Sequence, residues 1–403
     1  MLAAVTMTML APSANAATPV SIGVIAPASA INGRAIFQGI RMATDEINAN
    51  GGIDGRQIQL HEYDDHASAT DGIRAFQRAV RQDHTVAVLG NFTSEVALAI
   101  QPWAARLKQP YIVTGAATTK IPQRIHAQYE QYKYVFRVNL NSAFLAKNVC
   151  ATTKDVLVKQ LGYKTAVIMS ENAAWTKPLD AEYMKCLPEA GLKVLDHIRF
   201  SPGTTDFSPI FSRIAKNNPD VIISGIAHVG VKPTIQWHQQ QVPALLACWS
   251  SQAGASSFWQ DSSGAANGVI TGNLGASSAA LTDKSIPFAK AYTERFKESP
   301  AYDAYTSYDA VYVLKNAIER AGGDEADALV AALEKTDYTG TIGQIQFYSK
   351  DSEYAHDTRY GKQYVPGVAI QWQQGEQVVI WPPQATTGNV ILPDFVPRDK
   401  NDS

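Results

Sequence analysis

The chain has 403 residues, of which 45% are hydrophobic and 18% charged, with 35 basic against 37 acidic side chains and a net charge of −2. A chain this apolar can bury a sizeable core, which excludes general disorder, and the near-neutral balance excludes the basic footprint of a nucleic-acid binder or a polybasic membrane-surface protein. At roughly 150 residues per domain the length fits two or three domains, and three cysteines are too few for a disulfide-dense scaffold.

The first segment, Met1 to Ala16, carries an apolar run over Leu2–Leu10, then Pro12 and small residues ending in Ala14-Asn15-Ala16. That is the A-x-A pattern at the end of a secretory signal peptide, although no Lys or Arg precedes Arg34. An ordinary greasy N-terminal strand is the alternative, and Pro12 counts against it. The expectation is a periplasmic protein with residues 1–17 as a signal-peptide remnant, cleaved near Ala16. No later stretch of about 18 apolar residues occurs, so no membrane span is expected.

Val20–Ala26 (VSIGVIA) is a short apolar run closed by Pro27 and reads as a buried strand. Arg34–Asn48 places Ile36, Ile40, Ala43 and Ile47 on one face, the spacing of a helix, and Asn50-Gly51-Gly52 stops it. Gln57–Tyr63 then reads as a strand, Ala69–Arg81 as a helix, Val86–Leu89 as a strand ended by Gly90, Glu95–Leu107 as a helix and Tyr111–Thr114 as a strand. Strands separated by helices of this length imply crossover units and a parallel sheet. The pattern restarts with a long helix over Asn141–Leu161. Strands follow at Thr165–Met169, Lys193–Ile198, Val221–Ser224 and Ala244–Cys248, with helices at Thr176–Ala190, Phe207–Asn217 and Pro233–Gln241 between them. Ser285–Phe296, Ala304–Ala321 and Glu325–Glu334 are then consecutive helices without a strand, so they cap one of the two lobes. Strands Gln344–Phe347, Gly367–Gln373 and Gln377–Trp381 follow, and 397–403 should fray as a disordered tail.

Motifs of catalysis and cofactor binding are missing. There is no G-x-G-x-x-G after a strand, no G-x-x-x-x-G-K-[ST], no G-x-S-x-G and no C-x-x-C. His61 and His66 stand five apart where a zinc helix needs four, and surface polar residues are the better reading. No catalytic residue, metal or cofactor is therefore expected. In open parallel sheets ligands sit beyond the carboxyl ends of the strands. In the first lobe those ends lead into Asn91-Phe92-Thr93-Ser94 and Gly115-Ala116-Ala117-Thr118-Thr119, small and hydroxyl-bearing, at helix starts that suit a carboxylate. A plain helix cap at Thr93 or Ser94 is the alternative. In the second lobe they lead to Trp175, to His228 and to Trp249, for which core or lobe-interface packing is the alternative.

These residues carry a resemblance. IGVIAP, FQGIRMATDEINANGGIDGRQIQLHEYDD, VLGNFTSEVALAI, YIVTGAATT, YVFRV and TSYDAVYVLKNAIERAG resemble the leucine/isoleucine/valine-binding family of periplasmic solute receptors over nearly the whole chain after residue 18. The resemblance implies the type I periplasmic binding fold, an α/β architecture of two flavodoxin-like, doubly wound parallel lobes. It implies chain crossings near Val138–Asn141, Ile270–Leu274 and Gly343–Ile345. One lobe would then hold 18–138 plus 274–343 and the other 139–273 plus 344–396. Carried over residue by residue, the carboxylate-binding serine matches Ser94, with Phe92 and Thr93 before it. The small pair and threonine match Ala116, Ala117 and Thr118, and a stacking tyrosine matches Trp175. A second tyrosine falls at Ala227 beside His228, and the acid that pairs an amino acid's ammonium falls at Trp249. The first-lobe loop ends in Asn32-Gly33-Arg34, which makes Asn32 and Arg34 candidates.

An ammonium buried between lobes needs a counter-charge that Trp249 cannot supply; Glu171 could, but it lies early in its loop. The expected ligand is a small organic carboxylate, or an aromatic or apolar acid, without an α-amine. Branched-chain or other amino acids or amides, and a sensing module for a signalling partner, are the alternatives. The expected partner is the permease of an ABC importer in the inner membrane, and the expected state a monomer. A disulfide is expected between Cys150 and Cys186, on consecutive helical segments of one lobe; three buried free thiols are the alternative.

Overall fold

The structure is a computed structural model that describes residues 18–398. The expected signal peptide lies outside the described residues, as does the tail beyond Arg398.

The first half alternates strand and helix: β1 (Val20–Ala26), α1 (Ile31–Ala49), β2 (Ile58–Asp64), α2 (Ala69–Arg81), β3 (Ala87–Gly90), α3 (Ser94–Leu107) and β4 (Tyr111–Val113). Two short helices, α4 (Lys120–Ala127) and α5 (Tyr129–Tyr132), lead to β5 (Val135–Arg137). The five strands form one parallel sheet in the order β2-β1-β3-β4-β5, that of a flavodoxin-like doubly wound lobe. β1, β3, β4 and β5 are apolar runs because helices cover both faces of the sheet. Gly90 sits at φ +125°, and the Ile25 carbonyl oxygen fills the place a Cβ would take, so no side chain fits at the end of β3.

The second set is α6 (Ser142–Thr152), β6 (Thr165–Glu171), α7 (Thr176–Ala190), β7 (Lys193–Phe200), α8 (Ser208–Asn217), β8 (Val221–Ile226), α9 (Lys232–Gln239) and β9 (Leu245–Ser250). Its strands repeat the plan in a parallel sheet of order β7-β6-β8-β9. The long helix expected over Asn141–Leu161 is instead α6, capped by the Asn141 side chain, running into a wider π-type stretch at Thr153–Val158. There Lys159 N–H reaches the Lys154 carbonyl, one residue further back than in an α-helix. Cys150 on α6 is bonded to Cys186 on α7, with their Cα atoms 6.0 Å apart, and Cys248 is a buried free thiol.

After α10 (Ser257–Asp261) and β10 (Ile270–Asn273) the chain runs through α11 (Ser285–Phe296), α12 (Tyr302–Ala321) and α13 (Ala326–Leu333). α12 lies on α1, with the Tyr308 and Tyr312 hydroxyls on Glu46 Oε2 at 2.5 and 2.9 Å. The three helices therefore cap the first lobe. A two-stranded ribbon of β11 (Tyr338–Thr339) and β12 (Gln344–Ile345) follows. Its turn is pinned by the buried Asp309 carboxylate, which accepts from the Thr341 amide at 2.8 Å and its hydroxyl at 2.9 Å. β13 (Val368–Gln373) and β14 (Glu376–Trp381) join β10 in an antiparallel sheet. Thr271 of β10 exchanges hydrogen bonds with Ser250 of β9, which seats that sheet against the second lobe. Residues 344–396 do not stay with that lobe throughout: Asp357 bridges to Arg137 alongside β5 of the first sheet, and Thr358 N–H donates to the Arg137 carbonyl.

Candidate functional site

The carboxyl ends of both parallel sheets meet at one narrow pocket. The first lobe lines it with Phe92 and Ser94 after β3 and with Gly115 and Ala117 after β4. The second lines it with Trp175, Ala227 and His228 from the loops after β6 and β8, and with Trp249 near the end of β9 and Ser251 just beyond it. Leu145 of α6 and Tyr302 of α12 complete the wall.

Ser94 is the first residue of α3, where unpaired backbone amides and the positive end of the helix dipole favour an anion. The Thr93 side chain makes no cap hydrogen bond, and its buried Oγ1 has no partner among the described residues. Ser94 Oγ accepts from Thr118 N–H at 3.2 Å and keeps its own proton to donate. The loop after β4 is held from behind. Buried Arg137 donates to the Ala116 carbonyl at 3.1 Å and the Thr118 carbonyl at 2.9 Å, and is ion-paired with buried Asp357. Ala116 and Thr118 therefore position Ser94 and Ala117 without lining the cavity themselves.

In the second lobe Glu171, at the end of β6, is fully buried and accepts three hydrogen bonds. They come from Trp175 Nε1 at 2.8 Å, His228 N at 3.0 Å and His228 Nδ1 at 2.6 Å. Burial alone would raise the Glu171 carboxyl, but the His228 and Trp175 donors more than reverse this and hold it below its ordinary value. Burial would lower His228, yet the hydrogen bond and charge of Glu171, with Glu95 nearby, hold it above. The two form a hydrogen-bonded pair, each favouring the charged form of the other, that fixes the Trp175 indole. Phe92 lies across the cleft, its ring 5.8 Å from the His228 ring. Trp249 Nε1 donates to Ser251 Oγ at 3.2 Å, and its ring stands 6.2 Å from that of Tyr302. A direct bond joins the two sides at the cleft: Glu95 Oε1 of α3 accepts from Ala174 N–H at 2.8 Å.

Among the expected residues, Phe92, Ser94, Ala117, Trp175, Ala227, His228 and Trp249 come together at the cavity. Asn32 does not line it but is buried behind its wall. Arg34 is exposed and folds back onto the Ser29 carbonyl at 3.2 Å. Both belong to the first turn of α1, which begins at Ile31 and not after a loop ending at Arg34. Gly115 and Ser251 stood in the strand-end segments without being named as ligand contacts, and Leu145 and Tyr302 are additions. Ser251 follows Trp249 at a strand end and was within reach of that argument, whereas nothing local marks Leu145 or Tyr302. Metal-holding clusters of three or more His, Cys, Asp or Glu are absent among the described residues. No described helix is long and apolar enough to cross a membrane.

Residues 19–362 match a family model described as periplasmic binding protein. A Leu/Ile/Val-binding protein of Rhizobium johnstonii is 29% identical over 336 residues, covering 81% of this chain and 87% of that one. Similar in fold is a branched-chain amino acid transporter substrate-binding protein from Streptococcus pneumoniae, solved with isoleucine, at TM-score 0.77 and 21% identity, covering 91% of this chain and all of that one. A solute-binding protein of an ABC transporter from R. palustris, solved with benzoate, gives TM-score 0.76 at 17% identity, with 94% and 99% covered.

Proposed function

We propose, for a chain that belongs to the periplasmic binding protein family, that it is the solute receptor of an ABC importer and takes a small carboxylate without an α-amine between its lobes. The observation that carries the ligand class is the state of Glu171. This acid is bonded to Trp175 and His228 of the cavity wall, which together occupy and neutralise it. Among the described residues that line the cavity there is no Asp or Glu to meet a ligand ammonium, and an unpaired buried ammonium is strongly disfavoured. A carboxylate finds the Ser94 hydroxyl, the amino end of α3 and the His228 cation. Phe92, Trp175, Trp249 and Tyr302 then enclose a flat or apolar body. The partner is an inner-membrane permease that receives the loaded monomer.

The printed names of relatives favour a second reading, branched-chain amino acids. Titration calorimetry of the protein with benzoate, aliphatic acids, leucine and valine separates the two. Binding of amine-free acids, weakened roughly tenfold to a hundredfold by Ser94→Ala, is expected from the loss of one hydrogen bond to a charged head. Tight binding of leucine or valine with no response to amine-free acids would overturn the ligand class. Unchanged affinity in Ser94→Ala for every acid that binds would remove the carboxylate assignment independently.

A further inference from the structure

The Trp249 ring makes part of the pocket wall, and the residue against which that ring rests is one the reading above does not use. Gly272 of β10 is buried and does not line the pocket. A Cβ at position 272 would stand 2.5 Å from both Cε3 and Cζ3 of Trp249, whereas carbon atoms in contact keep about 3.5–4.0 Å. The indole therefore occupies the place that a side chain at 272 would take. Gly272 lies outside the positive-φ region, so the backbone itself would accept alanine and only space forbids it. The two strands cannot move apart freely. Ser250 N–H donates to Thr271 Oγ1 at 3.0 Å, and Thr271 Oγ1 donates to the Ser250 carbonyl at 3.0 Å, beside Trp249 and Gly272 in their strands. Gly272 is also paired with Ala369 of β13. With both backbones pinned, the part that can give way is the ring.

We propose that Gly272 is a positioning residue that sets the depth of the pocket: by leaving its Cβ position to Trp249 it lets the indole lie back against β10, and so admits an acid that carries a ring. This rests on the carboxylate reading above. No ligand atom needs to reach Gly272, because its effect passes through Trp249, which lines the pocket with its ring 6.2 Å from that of Tyr302. A methyl group at 272 would drive the indole away from β10 by about 1 Å, into a pocket that is already narrow. Close-packed walls have little spare volume to absorb such a shift. A benzoate-sized body needs the full gap between Phe92, Trp175, Trp249 and Tyr302, whereas a short acyclic acid does not.

The test is titration calorimetry with benzoate and propionate on the unmodified protein, Gly272→Ala, Trp249→Leu and the double variant, with denaturant melts of all four without ligand. Leucine lacks the two ring atoms that would meet the new methyl group. Gly272→Ala should weaken benzoate roughly tenfold or more, the order of an overpacked contact, and propionate by less than about threefold. In the Trp249→Leu background the same alanine should change benzoate affinity by less than about twofold, and its cost in the melts should largely vanish. A general loss of packing lowers both acids alike, so an unchanged benzoate-to-propionate ratio in Gly272→Ala overturns the inference and leaves the carboxylate reading standing. An alanine as disruptive in the Trp249→Leu background as in the unmodified protein overturns it too, since the obstacle is then the next neighbour, Asn148 Oδ1 at 3.3 Å. Where Gly272→Ala alone does not fold, the double variant should fold, and its failure to do so overturns the inference. Failure of both acids to bind the unmodified protein removes the carboxylate reading and this one together.

Discussion

Replacing Glu171 by glutamine keeps the shape of a fully buried side chain and deletes its charge. The glutamine can still accept from Trp175 through its one oxygen, but its amide nitrogen must face the His228 N–H or Nδ1 that now bond at 3.0 and 2.6 Å. Removing one partner of a buried ion pair costs about 3–5 kcal/mol, and losing an ordinary hydrogen bond about 1 kcal/mol. The two contributions separate with pH. Glu171 is held below its unfolded value, so its contribution is present above that value and lost as pH falls through the folded one. His228 is held above its unfolded value of about 6.5, so its contribution is complete below that and lost as pH rises through the folded one. Both groups are charged in the native state between roughly pH 4.5 and 6.5. Denaturant unfolding of both proteins at pH 5.5 and pH 8.5 should therefore show Glu171→Gln destabilised by about 3–5 kcal/mol at the lower pH and by markedly less at the higher. Above the His228 transition the unmodified protein carries an uncompensated buried carboxylate, which the variant lacks. Equal destabilisation at the two pH values would refute the charged pair and reduce Glu171 to a neutral packing element.

Asp309 is raised to about 7 by burial, against an ordinary carboxyl at 3.8. The folded state thus binds the proton more tightly, and this contribution to stability, complete below the unfolded value, is lost as pH rises through about 7. Asp309→Asn should flatten that part of the stability profile measured by denaturant melts, and an unchanged slope would count against it. Cys150→Ser with Cys186→Ser opens a bridge spanning a sequence separation of 36 residues and should cost about 3–4 kcal/mol on the chain-entropy account. Thiol titration of the denatured, unreduced protein should find a single free thiol, from Cys248; three would exclude the bridge. Arg137→Met leaves Asp357 buried without its partner and should destabilise by about 3–5 kcal/mol. The same change frees the Ala116 and Thr118 carbonyls, so ligand affinity in calorimetry should fall although Arg137 does not line the cavity.

The duplicated βα pattern was legible because strands buried on both faces read as unbroken apolar runs, as in VSIGVIA, TAVIM and VIIS. β5, β10 and β11, each two to four residues long, were not read as strands. Strand ends located Ser94, Trp175, His228 and Trp249, since the doubly wound order forces those loops into one crevice. The polar pairing that sets the chemistry was not legible. Glu171 meets His228 across 57 residues, a distance over which local pattern carries nothing. Thr118 was read as a ligand contact from its place after β4 and from the resemblance, whereas the backbone around it, fixed by Arg137, turns its amide to Ser94.

Helix α12 reaches the surface of α1 from far along the chain, with Tyr308 touching Glu46 across 262 residues. The second parallel sheet needs only the unbroken stretch from β6 to β9. Its contacts are local by comparison, and loop closure favours local contacts first. The first sheet leaves the ribosome earlier, yet its α1 face stays uncovered until α12 has been made. The half synthesised first is therefore the half completed last, and during that interval the exposed α1 face is the surface most open to wrong partners.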